Sequence, residues 1–408
     1  MHRRYSISLV AITLGASISG GAALPQAIPK APGTNGLVEV GLHHLRNLEF
    51  APARQELEAG LSRDPNDLRA LNALASVILQ GEMFQRELLE SRVYAVGAER
   101  TPADNAPHSP LFEQQLFGVL GKAEALANSR LKQNPHDEEA LYWAGVTHAT
   151  RAIYRLTMAR AYVAALGEAK EAYNRHAQLL RTNPNFVDAL LVVGMYDYIV
   201  GSLPWYAKFL ASIAGHRGNK QLGLAAVERV TREGHWARAD AKQFLAILYF
   251  REKRFTEVLP LLEDMSRSYP RNFLLPQEIA RVYKVLGDWR SVARTYDDIL
   301  LKHHLNEPGY REIPMAKILF QAGEAHTHIG ENSKALGLFD QAARNEGNNI
   351  YVYRAELAAA ELCRQQNRLD DARHKYERVA KAIPATDEGK AAQRSLRQFQ
   401  LNQPASGK

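Results

Sequence analysis

The chain has 408 residues, with 51 Lys and Arg against 44 Asp and Glu, and its net charge of +7 is too mild to imply a nucleic-acid partner. Hydrophobic residues make up 46% and charged residues 23%, which excludes a collagenous or wholly disordered chain and leaves apolar material for a large core. A single cysteine, Cys363, excludes an intramolecular disulfide framework and a cysteine-based zinc site.

At the N-terminus, His2, Arg3 and Arg4 are followed by an apolar run from Tyr5 to about Gly20 and by small residues at Gly21, Ala22 and Ala23. This pattern predicts a signal peptide over 1–23, cleaved after about Ala23, and hence an exported chain, periplasmic or extracellular. The rival readings are a retained anchor and a twin-arginine signal. The run is short for an anchor and is diluted by Ser6, Ser8, Thr13 and Ser17, while Tyr5-Ser6-Ile7 follows the arginine pair where Phe-Leu is usual. Residues 24–36, with Pro25, Pro29, Pro32 and Gly33, read as a flexible leader.

From Leu37 onward the apolar residues recur with a period of 3.6 and nowhere alternate, so the body is expected to be all-α. A 4, 3, 5 spacing repeats along it. It occurs at Ala53, Leu57, Gly60 and Pro65, at Ala123, Ala127, Arg130 and Pro135, and at Ala172, His176, Leu179 and Pro184. It returns at Val258, Leu262, Met265 and Pro270, and at Ala372, Tyr376, Val379 and Pro384. Upstream of these, a small residue precedes a larger one by three: Gly41 and His44, Gly145 and His148, Ala280 and Tyr283, Gly323 and His326. Two helices of about a dozen residues joined by a turn explain both sets, the small residue admitting the second helix and proline ending it.

These residues resemble the tetratricopeptide repeat superfamily, whose 34-residue unit carries small residues at these places and a terminal proline. The resemblance implies a superhelical solenoid of antiparallel helix hairpins. Regular units are predicted over 34–67, 68–101, 104–137, 239–272, 273–306, 316–349 and 353–386. In domain terms this gives N-terminal repeats over 37–137, an elongated hairpin and central segment over 138–238, C-terminal repeats over 239–386, and a capping helix and tail over 387–408. Between Gly145 and Ala172 the separation is 27 instead of 12, so one hairpin carries about 15 extra residues, some four helical turns.

The central segment holds Gly194-Met195-Tyr196, Ser202-Leu203-Pro204-Trp205, Gly215-His216-Arg217-Gly218 and Leu222-Gly223-Leu224. It resembles the inclusion-body-clearance type of mitochondrial outer membrane tetratricopeptide proteins, which implies shared architecture. Pro204 suits the start of a helix through Trp205, Phe209 and Ile213, with Gly215 at its end. That helix reads either as an inter-repeat core element or as one making a peripheral membrane contact. A central apolar cavity around Tyr198, Trp205 and Tyr206 would make the chain a small-molecule or lipid carrier, the alternative function.

No Gly-x-Ser-x-Gly elbow, His-Glu-x-x-His or dinucleotide fingerprint is present, so no enzyme and no cofactor is expected. His43-His44, His303-His304 and the Glu324, His326, His328 group have spacings that point around a helix, which does not chelate one ion, so no metal is expected. Cys363 reads as a buried small residue. What remains is a surface for a protein or peptide partner, with no oligomeric state specified. In the resembled family partners lie along the first helices at places 2, 5, 9 and 12 of each unit. Carried over, this implies a partner-binding set of Arg251, Gln277, Arg281, Lys284, Lys317, Arg354 and Arg364. Six of the seven are basic, which predicts an acidic or carboxylate-ended partner on the concave face of a scaffold.

Overall fold

The computed structural model describes residues 34–90, 109–203, 215, 217–345 and 349–401. The expected signal peptide, the leader up to residue 33, and Trp205 and Tyr206 lie outside them. The described residues form 17 α-helices and no strand. They fall into two compact units, residues 1–270 and 271–408.

The first unit stacks five antiparallel hairpins. These are α1 (Thr34–Arg46) with α2 (Phe50–Arg63), α3 (Leu68–Gln85) with α4 (Pro110–Gln133), α5 (Glu138–Thr157) with α6 (Tyr162–Thr182), α7 (Leu190–Gly201) with α8 (Lys220–Glu233), and α9 (Arg238–Arg251) with α10 (Phe255–Ser268). The first and third hairpins close where the sequence set a small residue: the side chains of Leu57 and His176 press on Gly41 and Gly145, where a Cβ would collide with them. Junctions between hairpins reuse one device. Asp64, Asn134 and Asn183, each before a proline, turn the chain by accepting the backbone N–H two residues on at 3.0, 3.1 and 3.1 Å. Asp67 and Asp137 then cap the next helix, accepting from Ala70 N at 2.9 Å and Ala140 N at 3.0 Å. At the third junction the carboxylate arrives two residues later, as Asp188. It reaches across to accept from His235 N and Ala237 N, both at 2.8 Å, just ahead of α9.

One stretch differs from the predicted repeats. Where a hairpin was expected over 104–137, Pro110–Gln133 is a single helix, α4, that runs through Gly118 and Gly121 without a turn, and α3 packs on it; the second half of the hairpin expected over 68–101 lies largely outside the described residues. Phe112, Leu116, Leu120, Ala123 and Ala127 continue one buried stripe along it, and neither glycine meets a neighbour closely enough to need its missing side chain. The lengthened hairpin is α5–α6, of 20 and 21 residues.

The central glycines set a very close helix pair. A Cβ on Gly223 would be driven into the backbone of Gly194 and Tyr198, one on Gly218 would meet Asp197 O at 2.7 Å, and one on Gly201 would strike the backbone of Lys220. The peculiar motif is therefore what lets α7 and α8 touch backbone to backbone.

The second unit stacks α11 (Leu274–Leu286) with α12 (Trp289–His304), α13 (Met315–His328) with α14 (Asn332–Ala343), and α15 (Ile350–Gln365) with α16 (Leu369–Ala382). Phe339 presses on Gly323 as Leu57 does on Gly41. The final helix, α17 (Asp387–Leu401), lays Ala392, Leu396 and Phe399 over a core of Ala360, Cys363, Ala372, Tyr376 and Val379. It covers the last apolar face, as a solenoid end requires. Cys363 is buried, and burial pushes its thiol above the ordinary cysteine range.

Candidate functional site

The face formed by the first helices of the hairpins differs between the two units. In the first it is buried by the unit itself. Val38, Leu42 and Leu45 of α1 and Arg69, Asn72 and Ser76 of α3, all at places 5, 9 and 12 or 2, 5 and 9, are inaccessible or nearly so. The first hairpin also meets the fifth: Arg46 Nη2 lies 3.7 Å from Asp240 Oδ1 of α9, and the His43 ring stands 5.9 Å from Tyr269. Asn72 accepts from the Thr147 hydroxyl at 2.9 Å, Arg69 binds Glu39, and Tyr142, Trp143, Phe186 and Trp236 fill the rest as an aromatic cluster. Burial, aided by the nearby Asp188 and Asp240 charges, pushes the Tyr142 hydroxyl well up. Asp240, at place 2 of the unit expected over 239–272, is likewise inside.

In the second unit this face stays open. Arg281 and Arg354 are half-buried and Lys284 and Arg364 are exposed, along one side of α11 and α15. Each is matched by a carboxylate. Arg281 pairs with Glu278 at 3.4 Å, Lys284 with Glu324 at 2.6 Å, Arg354 with Glu388 at 2.8 Å and Arg364 with Glu361 at 2.5 Å. Hydrogen bonds from Arg364 hold the Glu361 carboxyl below the ordinary range, with a further one from Tyr376 at 2.9 Å. Gln277 is buried, and Lys317 is only 1% exposed, its ammonium 5.7 Å from the Tyr351 ring centroid, over which Arg354 also lies at 5.6 Å. The implied residues thus form an alternating charged rail, with Lys317 and Gln277 beneath it. At its edge Trp289 and His328 stack with ring centroids 3.6 Å apart, and Lys284 lies 5.4 Å from the same indole.

Arg251 belongs to the first unit and is exposed. Its guanidinium stands 5.8 Å from the ring of buried Tyr198, with the Lys220 ammonium 6.0 Å from that ring. Tyr198 donates to Glu252 Oε1 at 2.5 Å, and Lys220 binds Glu252 Oε2 at 2.5 Å. Burial would lift the Glu252 carboxyl, but those two hydrogen bonds together hold it below its ordinary value. Tyr198 is therefore tied into a polar knot. Among the described residues no group of three or more His, Cys, Asp or Glu side chains could hold a metal ion.

The carboxylate partners were partly readable in sequence. Glu278 with Arg281 and Glu361 with Arg364 stand three apart on a helix, where side chains meet. The closure of the first unit had a quieter signal, the run of Val38, Leu42 and Leu45 at places expected to face solvent.

No family model and no curated protein matches the chain. Among solved structures it is similar to the human IFIT1 dimer with m7Gppp-AAAA, at 12% identity over 92% of this chain and 84% of that one, with a TM-score of 0.39. Yeast Tom70 is similar at 13% identity, covering 90% and 89%, with a TM-score of 0.35. A tetratricopeptide repeat protein from Parabacteroides merdae is similar at 17% identity, covering 79% and 98%, with a TM-score of 0.30.

Proposed function

We propose that this stack of tetratricopeptide-like helix hairpins is an exported scaffold that holds a protein or peptide partner along the first helices of its second unit. The observation that carries this reading is the contrast between the two units: one buries its first-helix face, whereas the other leaves Arg281, Lys284, Arg354 and Arg364 accessible. An accessible row of paired charges suits an extended segment, because a partner carboxylate can take over a guanidinium that Glu278 or Glu361 holds at the surface for about 0–1 kcal/mol. An acidic segment gains most from this exchange. Repeat architecture supports the same reading, since stacked hairpins build long surfaces in place of deep catalytic pockets.

The test is crosslinking in the native envelope with wild type, with Arg281→Glu plus Lys284→Glu, and with Arg373→Glu on the exposed second-helix side as control. A protein captured by wild type and the control but lost from the double variant is the expected result. Equal capture by all three, or crosslinks that map outside α11, α13 and α15, would sink the proposal.

A further inference from the structure

The carboxylates along the rail come from two kinds of place. Glu278 and Glu361 stand three residues from the arginines they hold, and Glu324 lies on the first helix next to that of Lys284, so these pairs belong to the repeats themselves. Glu388 does not. It reaches Arg354 Nε at 2.8 Å from the first turn of α17, 34 residues further along the chain and outside every hairpin.

The register of α17 gives no reason for a carboxylate there. Ala392, Leu396 and Phe399 form the apolar stripe of the cap, and position 388, four residues before Ala392, extends that stripe by one turn. Capping alone calls for an apolar residue at this place, yet a glutamate occupies it with its side chain only 15% exposed. Its backbone is fixed as well. The Thr386 hydroxyl accepts from Gly389 N at 3.1 Å, and a Cβ on Gly389 would collide with Ile383 O, so the first turn is pressed onto the chain before it. The adjacent Asp387 is 95% exposed and faces Lys390 at 4.0 Å instead.

Beneath Glu388 lies a cationic patch. The Arg354 guanidinium and the Lys317 ammonium stand 5.6 and 5.7 Å from the centre of the Tyr351 ring, and both Lys317 and Tyr351 are buried. Two cations on one ring make a place that attracts an anion, and Glu388 is an anion the chain itself supplies.

We propose that this patch is a carboxylate subsite of the partner face and that Glu388 is its built-in competitor, which an acidic segment must displace from Arg354. Like the rail itself, the subsite rests on reading the first-helix face of the second unit as the partner's. Displacement needs only the rotation of one side chain, since α17 stays anchored through Leu396 and Phe399. The competitor also selects. A lone carboxylate gains nothing by replacing another at Arg354, whereas a segment that engages Arg281 or Lys284 at the same time presents its next carboxylate at high local concentration.

The experiment is fluorescence anisotropy of a labelled octa-glutamate peptide with the full chain at low salt, comparing wild type, Glu388→Gln and Asp387→Asn. Both substitutions remove one negative charge from the same helical turn, and only the first touches Arg354. Glu388→Gln should bind the peptide on the order of fivefold more tightly than wild type, and Asp387→Asn should bind as wild type does. Adding Arg354→Ala to Glu388→Gln should abolish the gain. The proposal is overturned if Glu388→Gln binds no more tightly than wild type, including the case in which neither binds, if Asp387→Asn gains as much, or if the gain survives Arg354→Ala. These outcomes are separable from the reading of the rail: crosslinking capture that depends on Arg281 and Lys284 can persist when Glu388→Gln changes nothing, and loss of that dependence would sink the rail whatever the peptide does.

Discussion

The imidazole of His176 fills the space that Gly145 leaves open, and its surroundings decide its protonation. Its Nδ1 faces Ala172 O at 2.9 Å, its Nε2 has no partner, and burial lowers its pKa from 6.5 to about 4. Between those two values the unfolded chain binds a proton that the folded one refuses. The stability it contributes is thus complete above pH 6.5 and is lost as pH falls through this window toward 4, by about 3 kcal/mol. His176→Leu should flatten that part of the acid limb in thermal unfolding between pH 7 and pH 4.5. A variant with an unchanged limb would show that other groups carry it. The sequence assigned His176 to a repeat place, but burial without a partner for Nε2 depends on Gly145 and on Tyr142, whose ring lies 5.2 Å away, and so appears only in three dimensions.

Between elements, glycine acts in two opposite ways. Gly223 sits where α7 and α8 touch through their backbones, whereas Gly167 in α6 has open space around it. Gly223→Val should therefore force the helices apart and cost about 3 kcal/mol or more, while Gly167→Ala should be neutral or stabilise by up to about 1 kcal/mol through helix propensity. Denaturant unfolding of both variants tests the pair, and similar midpoints would refute the close-approach account. Hairpin closure was legible in sequence because small and large residues at fixed places must meet: Gly41 with Leu57, Gly145 with His176 and Gly323 with Phe339. The α4 helix was not legible, because proline at 135 and the 4, 3, 5 spacing mark where a second helix ends and leave its beginning open.

For the whole molecule, the sequence-level reading of the partner face relied on treating every first helix alike. That assumption fails where Arg46 meets Asp240 in the first unit, and in the second it leaves Arg281, Lys284, Arg354 and Arg364 accessible but Gln277 and Lys317 buried. Nothing local distinguishes the two, since the contact joins residues far apart in the chain. The compartment belongs to this scale as well. N-terminal sequencing of the protein recovered from an envelope or culture fluid fraction should find a chain beginning near residue 24, and an intact Met1 in the cytoplasmic fraction would refute export.

The meeting of the first hairpin with the fifth also constrains how such a chain can change in length. An open stack gains or loses a hairpin with only its neighbours affected, so the second unit can grow or shrink between α11 and α17 and keep its first-helix face open. A closed turn has no such freedom. Inserting or deleting one hairpin between α2 and α9 would part Arg46 from Asp240 and leave two buried charges without each other. The five hairpins of the described residues are therefore tied to this contact in the first unit, and variation in length is left to the second.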